Sequence, residues 1–437
     1  QILHAFCLYQ RMQENSILPT SYTLVGLLQS CAQLQNSEFG QEIHLEVVQK
    51  GFDVDLFIHS ALIDMYVKCG SILDAQNVFD RMSNRDVVLW TTLIAGYSSQ
   101  PGYYNEANIL FERMQNEGIE PNSVTLASLL KLCSSNLNLG RGREIHASSI
   151  HLGLEFHDPY VGAILIDMYS HCDCSPDASR LFNRMPHRGV IMWNSLIAGY
   201  AQHEFCVDAI NLCQQMQAEG VIQPDSVTYI SLLKACRTNG GDVEQAFWIH
   251  SQIVGDGLLS DLCVSSALID LHAKSEFLED ANRIFDSLPE RSIVTWNSLM
   301  GGYVEGEHFK KVLELYQCMK TEGLNPDLVT FLYTVKACSY ITALQQGRLM
   351  HTRIITLGLE SDVSLGNTLV DMYASCGSLE EAHVVFDGLP MQDSVSWTSL
   401  ISGYAQHGDY LGALNCFEKM RQNSGLQPDE VMFICLL

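Results

Sequence analysis

The sequence is poor in basic residues: 25 lysines and arginines stand against 50 aspartates and glutamates, a formal net charge of −25. Non-specific nucleic-acid affinity comes from cations that neutralise phosphates, so a general polyanion binder is excluded. Any nucleic acid held here has to be held mainly through its bases, although local patches count for more than the sum. No stretch reads as a membrane span. The longest uncharged run, 87–105, is broken by threonines, serines, a glutamine and a proline. The fifteen cysteines lack paired C-x-x-C spacing, which argues against a zinc or disulfide framework. Several mark a period instead: Cys31, Cys133, Cys236 and Cys338 lie 102, 103 and 102 residues apart. A small, soft side chain at one core position accounts for them, and such free thiols fit a reducing compartment.

Signatures of chemistry are equally scarce. The zinc-deaminase pattern H-x-E…P-C-x-x-C is absent. Gly140-Arg141-Gly142 has no strand before it and makes no phosphate loop. His171-Cys172-Asp173-Cys174 is the best local metal candidate, yet it aligns with the turns Lys68-Cys69-Gly70 and Ser375-Cys376-Gly377 and lacks four ligands. His44, His146, His250 and His351 recur in units several helix diameters apart and read as packing residues. Glu279-Asp280 and Glu380-Glu381 open helices, where negative charge favours the dipole. These residues describe a recognition module with no catalytic residue, no metal and no cofactor.

What the chain does have is repetition. It reads VVLWTTLIAGY at 87–97, VIMWNSLIAGY at 190–200, IVTWNSLMGGY at 293–303 and SVSWTSLISGY at 394–404, with steps between tryptophans of 103, 103 and 101 residues. Such a period signals a repeat architecture. Each period holds three units. Tryptophan units occupy 87–122, 190–225, 293–327 and 394–429; units with an LLKAC-like signature and a Gly-x-x-x-His pattern occupy 21–55, 123–158, 226–261 and 328–362. Shorter units with ALIDMY-like starts occupy 56–86, 159–189, 262–292 and 363–393. Residues 1–20 look like the tail of a further unit and 430–437 like the head of another, so a longer protein is expected, with any targeting peptide upstream.

Within a unit the apolar spacing predicts two amphipathic helices. In 190–225 the first carries Ile191, Trp193, Leu196, Ile197 and Tyr200, and the second Ala209, Ile210, Leu212, Cys213 and Met216. Gly118, Gly220, Gly323 and Gly425 sit where a helix ends, each followed by a proline. One hairpin cannot bury both faces, so neighbours must stack. The predicted fold is all-α: a right-handed superhelical α-solenoid of helix-turn-helix repeats, twelve complete units over 21–429 in one solenoid without internal linkers.

Three columns carry information. In the tryptophan units the fifth residue is Thr91, Asn194, Asn297 or Thr398, and the last is Asn122, Asp225, Asp327 or Asp429. The second is β-branched and apolar: Val88, Ile191, Val294 and Val395. Positions 2, 5 and 9 share a helix face, so stacked units present apolar ledges that clamp bases beside a polar group that reads an edge. The alternative is helix capping, which explains small polar residues but not a paired choice at two distant columns. At position 9, Lys131, Lys234 and Lys336 face Asp167, Asp270 and Asp371 of the following units, as an ion-pair ladder or as phosphate contacts.

The signatures WNSLIAGYAQ, GREIH and LIDMYxKCG, recurring in fixed order, resemble the plant pentatricopeptide repeat family, PLS subclass. The tryptophan units match its P type, the LLKAC units its L type and the short units its S type. The resemblance implies one base per repeat, the RNA 5′ end at the protein N-terminus, and selection by the fifth and last residues together. Ser60 with Asp86 would then read G, Thr91 with Asn122 A, and Thr398 with Asp429 G. Asn194 with Asp225, Asn297 with Asp327 and Asn367 with Asp393 would each read U. Ala163 with Gly189 and Ser266 with Ser292 depart from the code, and the L-type fifth residues Val25, Ala127, Ile230 and Leu332 are apolar. The implied site is 5′-GAnnUnnUnUG-3′. The resemblance further implies a mitochondrial or chloroplast factor for C-to-U editing, with a deaminase in a C-terminal extension or in trans and editing-factor proteins docking on L units. Two rivals are a protein-binding solenoid of the tetratricopeptide sort and an organellar RNA stability, splicing or translation factor.

Overall fold

The structure is a computed structural model that describes residues 2–15, 17–52, 55–82, 84–203, 205–220, 222–237, 243–275, 277–423, 428 and 430–436. Among the described residues the regular elements are 27 α-helices and one 3-10 turn, Leu258–Ser260, with no strand. None of these helices is long and apolar enough to cross a membrane.

The residues at which the sequence units begin each start a helix: Ser21, Leu56, Val87, Ser123, Pro159, Val190, Ser226, Leu262, Ile293, Leu328, Val363 and Ser394. A short polar residue precedes most of them and supplies the acceptor that an uncapped N-terminus lacks. Asp86 accepts from the Leu89 N–H, Asn122 from Thr125, Asp327 from Thr330 and Asp393 from Ser396. The second helices of the tryptophan units span Tyr104–Asn116, Cys206–Glu219, Phe309–Thr321 and Tyr410–Asn423. Those of the short units span only 9 or 10 residues, as in Ile72–Asp80 and Leu278–Ser287, which accounts for their lesser length. Gly118 and Gly323 follow second helices at φ +76° and +81°, a conformation that costs glycine little. Gly425 lies outside the described residues.

Contacts divide the chain into two compact halves, Gln1–Pro224 and Asp225–Leu437. In each half the first helix of a unit packs on the first helices of its neighbours and on its own second helix. The contact repeated most strictly joins a short unit to the tryptophan unit after it. Phe79 meets Trp90, Phe182 meets Trp193, Phe285 meets Trp296 and Phe386 meets Trp397, all edge-on with centroids 4.6 Å apart. Edge-to-face packing suits the ring quadrupoles. Over three of these phenylalanines lies a guanidinium, from Arg85, Arg188 and Arg291, at 5.0, 4.9 and 4.7 Å. Each Nε donates to the carbonyl of that phenylalanine, at 3.2, 3.2 and 3.3 Å. Each Nη1 reaches a glutamate at the end of the next second helix: Glu117, Glu219 or Glu322. At the fourth junction Gln392 keeps the carbonyl contact, at 3.3 Å.

The GREIH-like and LIDMY-like signatures interlock. A Cβ on Gly40, Gly142 or Gly347 would fall within 2.4 Å of the sulfur of Met65, Met168 or Met372, so the glycine makes room for the next unit's methionine. One turn further, His44, His146 and His351 hydrogen-bond the hydroxyls of Tyr66, Tyr169 and Tyr373 at 2.9, 2.7 and 2.9 Å. In the remaining copy Ala246 and Leu271 replace glycine and methionine, and His250 faces His272 edge-on at 5.2 Å. Burial first, and the neighbouring His250 second, lower the His272 pKa to about 4. The recurring histidines are therefore packing residues in these interfaces, as the sequence implied.

Thirteen cysteines are free thiols, among them the buried Cys31, Cys133 and Cys338 of the recurring column. Cys206 and Cys236 are not among the free thiols, which corrects the expectation that all fifteen are free. Cys206 stands where sibling units carry Tyr104, Phe309 and Tyr410, so no repeat column marked it.

Replacing Phe285 by alanine removes the partner of Trp296 and opens a cavity in a buried aromatic pair. Thermal or denaturant unfolding should show a loss of about 3–5 kcal/mol, whereas Val384→Ala, at an exposed site, should stay within about 0.5 kcal/mol.

Candidate nucleic-acid interface

The first helices arrange their side chains by depth. Position 4 of the tryptophan units is fully buried at Trp90, Trp193 and Trp296. Position 2, two residues earlier, emerges: Val88, Ile191, Val294 and Val395 are 52–60% exposed. Such branched side chains in water, one per repeat, call for an explanation other than the core. The column continues where the sequence reading did not look. Tyr22, Val124, Val227 and Val329 hold position 2 of the LLKAC units, and Phe57 and Tyr160 that of two short units, all exposed. The signal was present as a large apolar second residue in all four LLKAC units and in two of the short units.

Between ledge and core sits the fifth residue, which at Asn297, Asn367 and Thr91 meets the last residue of its own unit. Asp327 caps the helix Leu328–Tyr340 by accepting the Thr330 N–H at 2.9 Å. The same carboxylate accepts from Asn297 Nδ2 at 2.9 and 3.1 Å. Asn367 Nδ2 donates likewise to Asp393, at 3.1 and 3.3 Å, while Asp393 takes the Ser396 N–H at 2.8 Å. Thr91 Oγ1 lies 3.4 Å from Asn122 Oδ1, which accepts the Thr125 N–H at 2.9 Å. Capping and pairing, weighed as alternatives from the sequence, are two contacts of one side chain.

The remaining predicted residues hold the same two positions, fifth and last, of their units. Asp86 caps through the Leu89 N–H at 3.0 Å, but among the described residues no hydrogen bond joins it to the half-buried Ser60. Asn194 is buried in the first half, and Asp225, in the second, accepts the Thr228 N–H at 2.9 Å. Thr398 donates to the Ser394 carbonyl at 2.7 Å, and Asp429 lies outside the described residues. Of the pairs that depart from the code, Gly189 caps without a side chain, and Ser292 forms a capping box with Thr295.

Sequence reasoning missed a third member. The third residue of the following first helix is a fully buried hydroxyl in Thr125, Thr228, Thr330 and Ser396. Thr330 Oγ1 lies 2.8 Å from both Asn297 Oδ1 and Asp327 Oδ1. Thr125 Oγ1 lies 2.7 Å from Thr91 Oγ1 and 3.0 Å from Asn122 Oδ1. The threonine three residues after the unit-ending Asn or Asp was the available sign.

Electrostatics bear on one pair. Burial alone would raise the Asp393 carboxyl, but hydrogen bonds from Ser396, from Asn367 and from the Val395 N–H outweigh it and hold the group below its ordinary value. The position-9 ladder is not formed by the described ion pairs. Lys131 sits 5.7 Å over the Tyr160 ring, Asp270 pairs with Lys274 at 3.1 Å, and Asp371 accepts from Ser339 at 2.9 Å. Lys131, Lys234 and Lys336 are exposed and lie two turns from the position-2 ledges.

The PPR repeat family pattern matches residues 85–135, 188–238 and 291–339, and the PPR repeat pattern matches 57–87, 164–190, 264–293, 367–391 and 395–424. A pentatricopeptide repeat-containing protein of Arabidopsis thaliana is 35% identical over 436 residues, covering 98% of this chain and 51% of the relative. A mitochondrial relative by name, also from Arabidopsis, is 35% identical over 490 residues, 97% of this chain and 47% of its own length. A chloroplastic one is 32% identical over 429 residues, 98% and 52%. The chain thus spans about half the length of these relatives. The crystal structure of the pentatricopeptide repeat protein PPR10 with an 18-nt psaJ RNA element superposes with a TM-score of 0.71 at 18% identity, over 100% of this chain and 68% of that one. This likeness shows a helical-repeat solenoid fold.

Because the folded Asp393 carboxyl is depressed, its contribution is complete above the unfolded carboxylate pKa and is lost as pH falls through the lower folded value. Asp393→Ala should cost about 1 kcal/mol at neutral pH, read as a lower Tm. The gap between wild type and variant should close on acidification below the ordinary carboxylate range.

Proposed function

The chain belongs to the PPR repeat family, and on that premise we propose that it binds single-stranded RNA in a sequence-selective way inside a mitochondrion or chloroplast. One observation carries the reading: the fifth and last residues of a repeat, 30 positions apart in Asn297 and Asp327, are hydrogen-bonded to each other beside an exposed apolar ledge. A capping role alone gives no reason for that partnership. The ledge offers a flat apolar surface to a base while the polar pair meets its edge. The exposed lysines at position 9 supply phosphate contacts on an otherwise acidic chain, in preference to the ladder.

The order of tryptophan, LLKAC and short units supports the PLS subclass, and with it the role of site-recognition factor for C-to-U editing of organellar transcripts. Here the chain supplies recognition, and a zinc deaminase acts on a cytidine just 3′ of the bound stretch, from another part of a longer protein or in trans. The pairs specify 5′-GAnnUnnUnUG-3′ from residue 56 onward.

An electrophoretic titration at fixed, stated salt tests this. RNA carrying 5′-GAnnUnnUnUG-3′ should bind at least about tenfold more tightly than an RNA in which the three U positions are A, since each base contact is worth roughly 1–3 kcal/mol by analogy with groove readout. Equal affinity for both would leave a protein-binding solenoid as the better account.

A further inference from the structure

Two Asn–Asp pairs assigned to the same base are built differently, and the difference lies in the repeat that follows. At Asn297 both ends of the amide have a partner: Nδ2 donates to the Asp327 carboxylate at 2.9 and 3.1 Å, and Oδ1 lies 2.8 Å from the Thr330 hydroxyl, whose one hydrogen it shares with Asp327 Oδ1, also at 2.8 Å. At Asn367 only one end is held. Nδ2 meets Asp393 at 3.1 and 3.3 Å. The Ser396 hydroxyl turns back to the Asp393 carbonyl at 2.9 Å and Oδ1 at 3.1 Å, leaving Asn367 Oδ1 buried with no hydrogen-bond partner among the described residues. Both asparagines are 8% exposed, so depth does not separate them.

We infer that the third residue of the following repeat, Thr330 and likewise Thr125, is a positioning residue for base selection, an inference that rests on the base reading proposed above. A carboxamide carries a donor and an acceptor of nearly equal size, and turning it over exchanges them. Uracil and cytosine differ by just such an exchange: N3–H and O4 in one, a bare N3 and an amino group in the other. An amide locked at both ends presents one polarity and favours one pyrimidine. An amide held only through Nδ2 by a carboxylate keeps the same polarity but is less firmly fixed, and so discriminates less between the two.

The same logic orders a hydroxyl. Asn122 Oδ1 receives both the N–H and the O–H of Thr125, at 2.9 and 3.0 Å. The Thr125 oxygen is then left to accept the Thr91 hydrogen across 2.7 Å. Thr91 turns its hydrogen inward and presents lone pairs outward, a polarity that fits the adenine amino group and not the guanine carbonyl. Thr330 and Thr125 touch no base themselves; they fix the hydrogens of the residue that does.

The test compares affinities for RNAs that differ only at the eighth or tenth base of 5′-GAnnUnnUnUG-3′, the bases assigned to Asn297 and Asn367. In the wild-type protein the preference for U over C should be about 3- to 10-fold greater at the eighth base, the range one hydrogen bond contributes. Thr330→Val, which keeps the side-chain shape, should bring the eighth-base ratio down to that of the tenth and leave the tenth unchanged. Thr330→Ser, which puts at this position the residue that stands at 396, should likewise lower the eighth-base ratio towards that of the tenth. At the second base, Thr125→Val should lower the preference for A over G. Asn297→Ser serves as the control, because it should move the eighth-base preference from U towards G. If it does not, the base reading itself fails. If it does, while wild type treats the two positions alike or Thr330→Val leaves the ratio in place, the positioning role is overturned. The wild-type comparison stands even if the valine variant does not fold.

Discussion

The junction between repeats turns on one side chain that answers two demands. A helix leaves its first N–H groups without partners, and Asn122, Asp327 and Asp393 supply an acceptor to the helix they precede. Each also reaches back to the fifth residue of the helix one repeat earlier. A cap is worth about 1 kcal/mol, so stability alone holds such a residue in place. Because the cap is polar and bonded to its neighbour, it also carries the hydrogen-bonding face of that neighbour. On the proposed reading, stability and recognition share one atom set, and the surface is preorganised before any ligand arrives.

Around that junction the rest of the packing sets register. The Trp–Phe contact recurs at 4.6 Å in all four copies, and the arginine over the phenylalanine ties it to the next second helix. The Gly–Met and His–Tyr contacts do the same between LLKAC and short units. These are core devices with no polar work for a ligand. They hold position 2 out in solvent and position 5 at its edge. On a chain with a net charge of −25, that division matters to the proposed function: phosphate attraction is weak, so the proposal places affinity and selectivity in ledges and edges together.

Much of this was legible in the sequence because repetition copies errors and signals alike. The helix starts, the turns and the packing role of His44, His146 and His351 followed from aligned units and helical spacing. Contacts that join different columns were harder. The Thr330 hydroxyl belongs to the next repeat, and its reach to Asn297 depends on side-chain direction that spacing does not encode. The difference between Asn297 and Asn367 is invisible in the paired letters Asn and Asp. Cys206 escaped for the opposite reason, as it belongs to no column. The exposed apolar position 2 of the LLKAC units was in plain view, but attention to the tryptophan units passed over it.

The most direct measurement exchanges one pair for another in a part of the chain where both residues are described. Thr91→Asn combined with Asn122→Asp converts the pair assigned to A into one assigned to U. Affinities of wild type and double variant would be measured at one salt concentration, on RNAs that carry A or U at the second base of 5′-GAnnUnnUnUG-3′. The account predicts that wild type prefers A and the variant prefers U, with the preference at the other specified bases unchanged. If both proteins bind the two RNAs equally, the paired columns are caps and packing residues, and the reading of this surface as a base-selective one is contradicted.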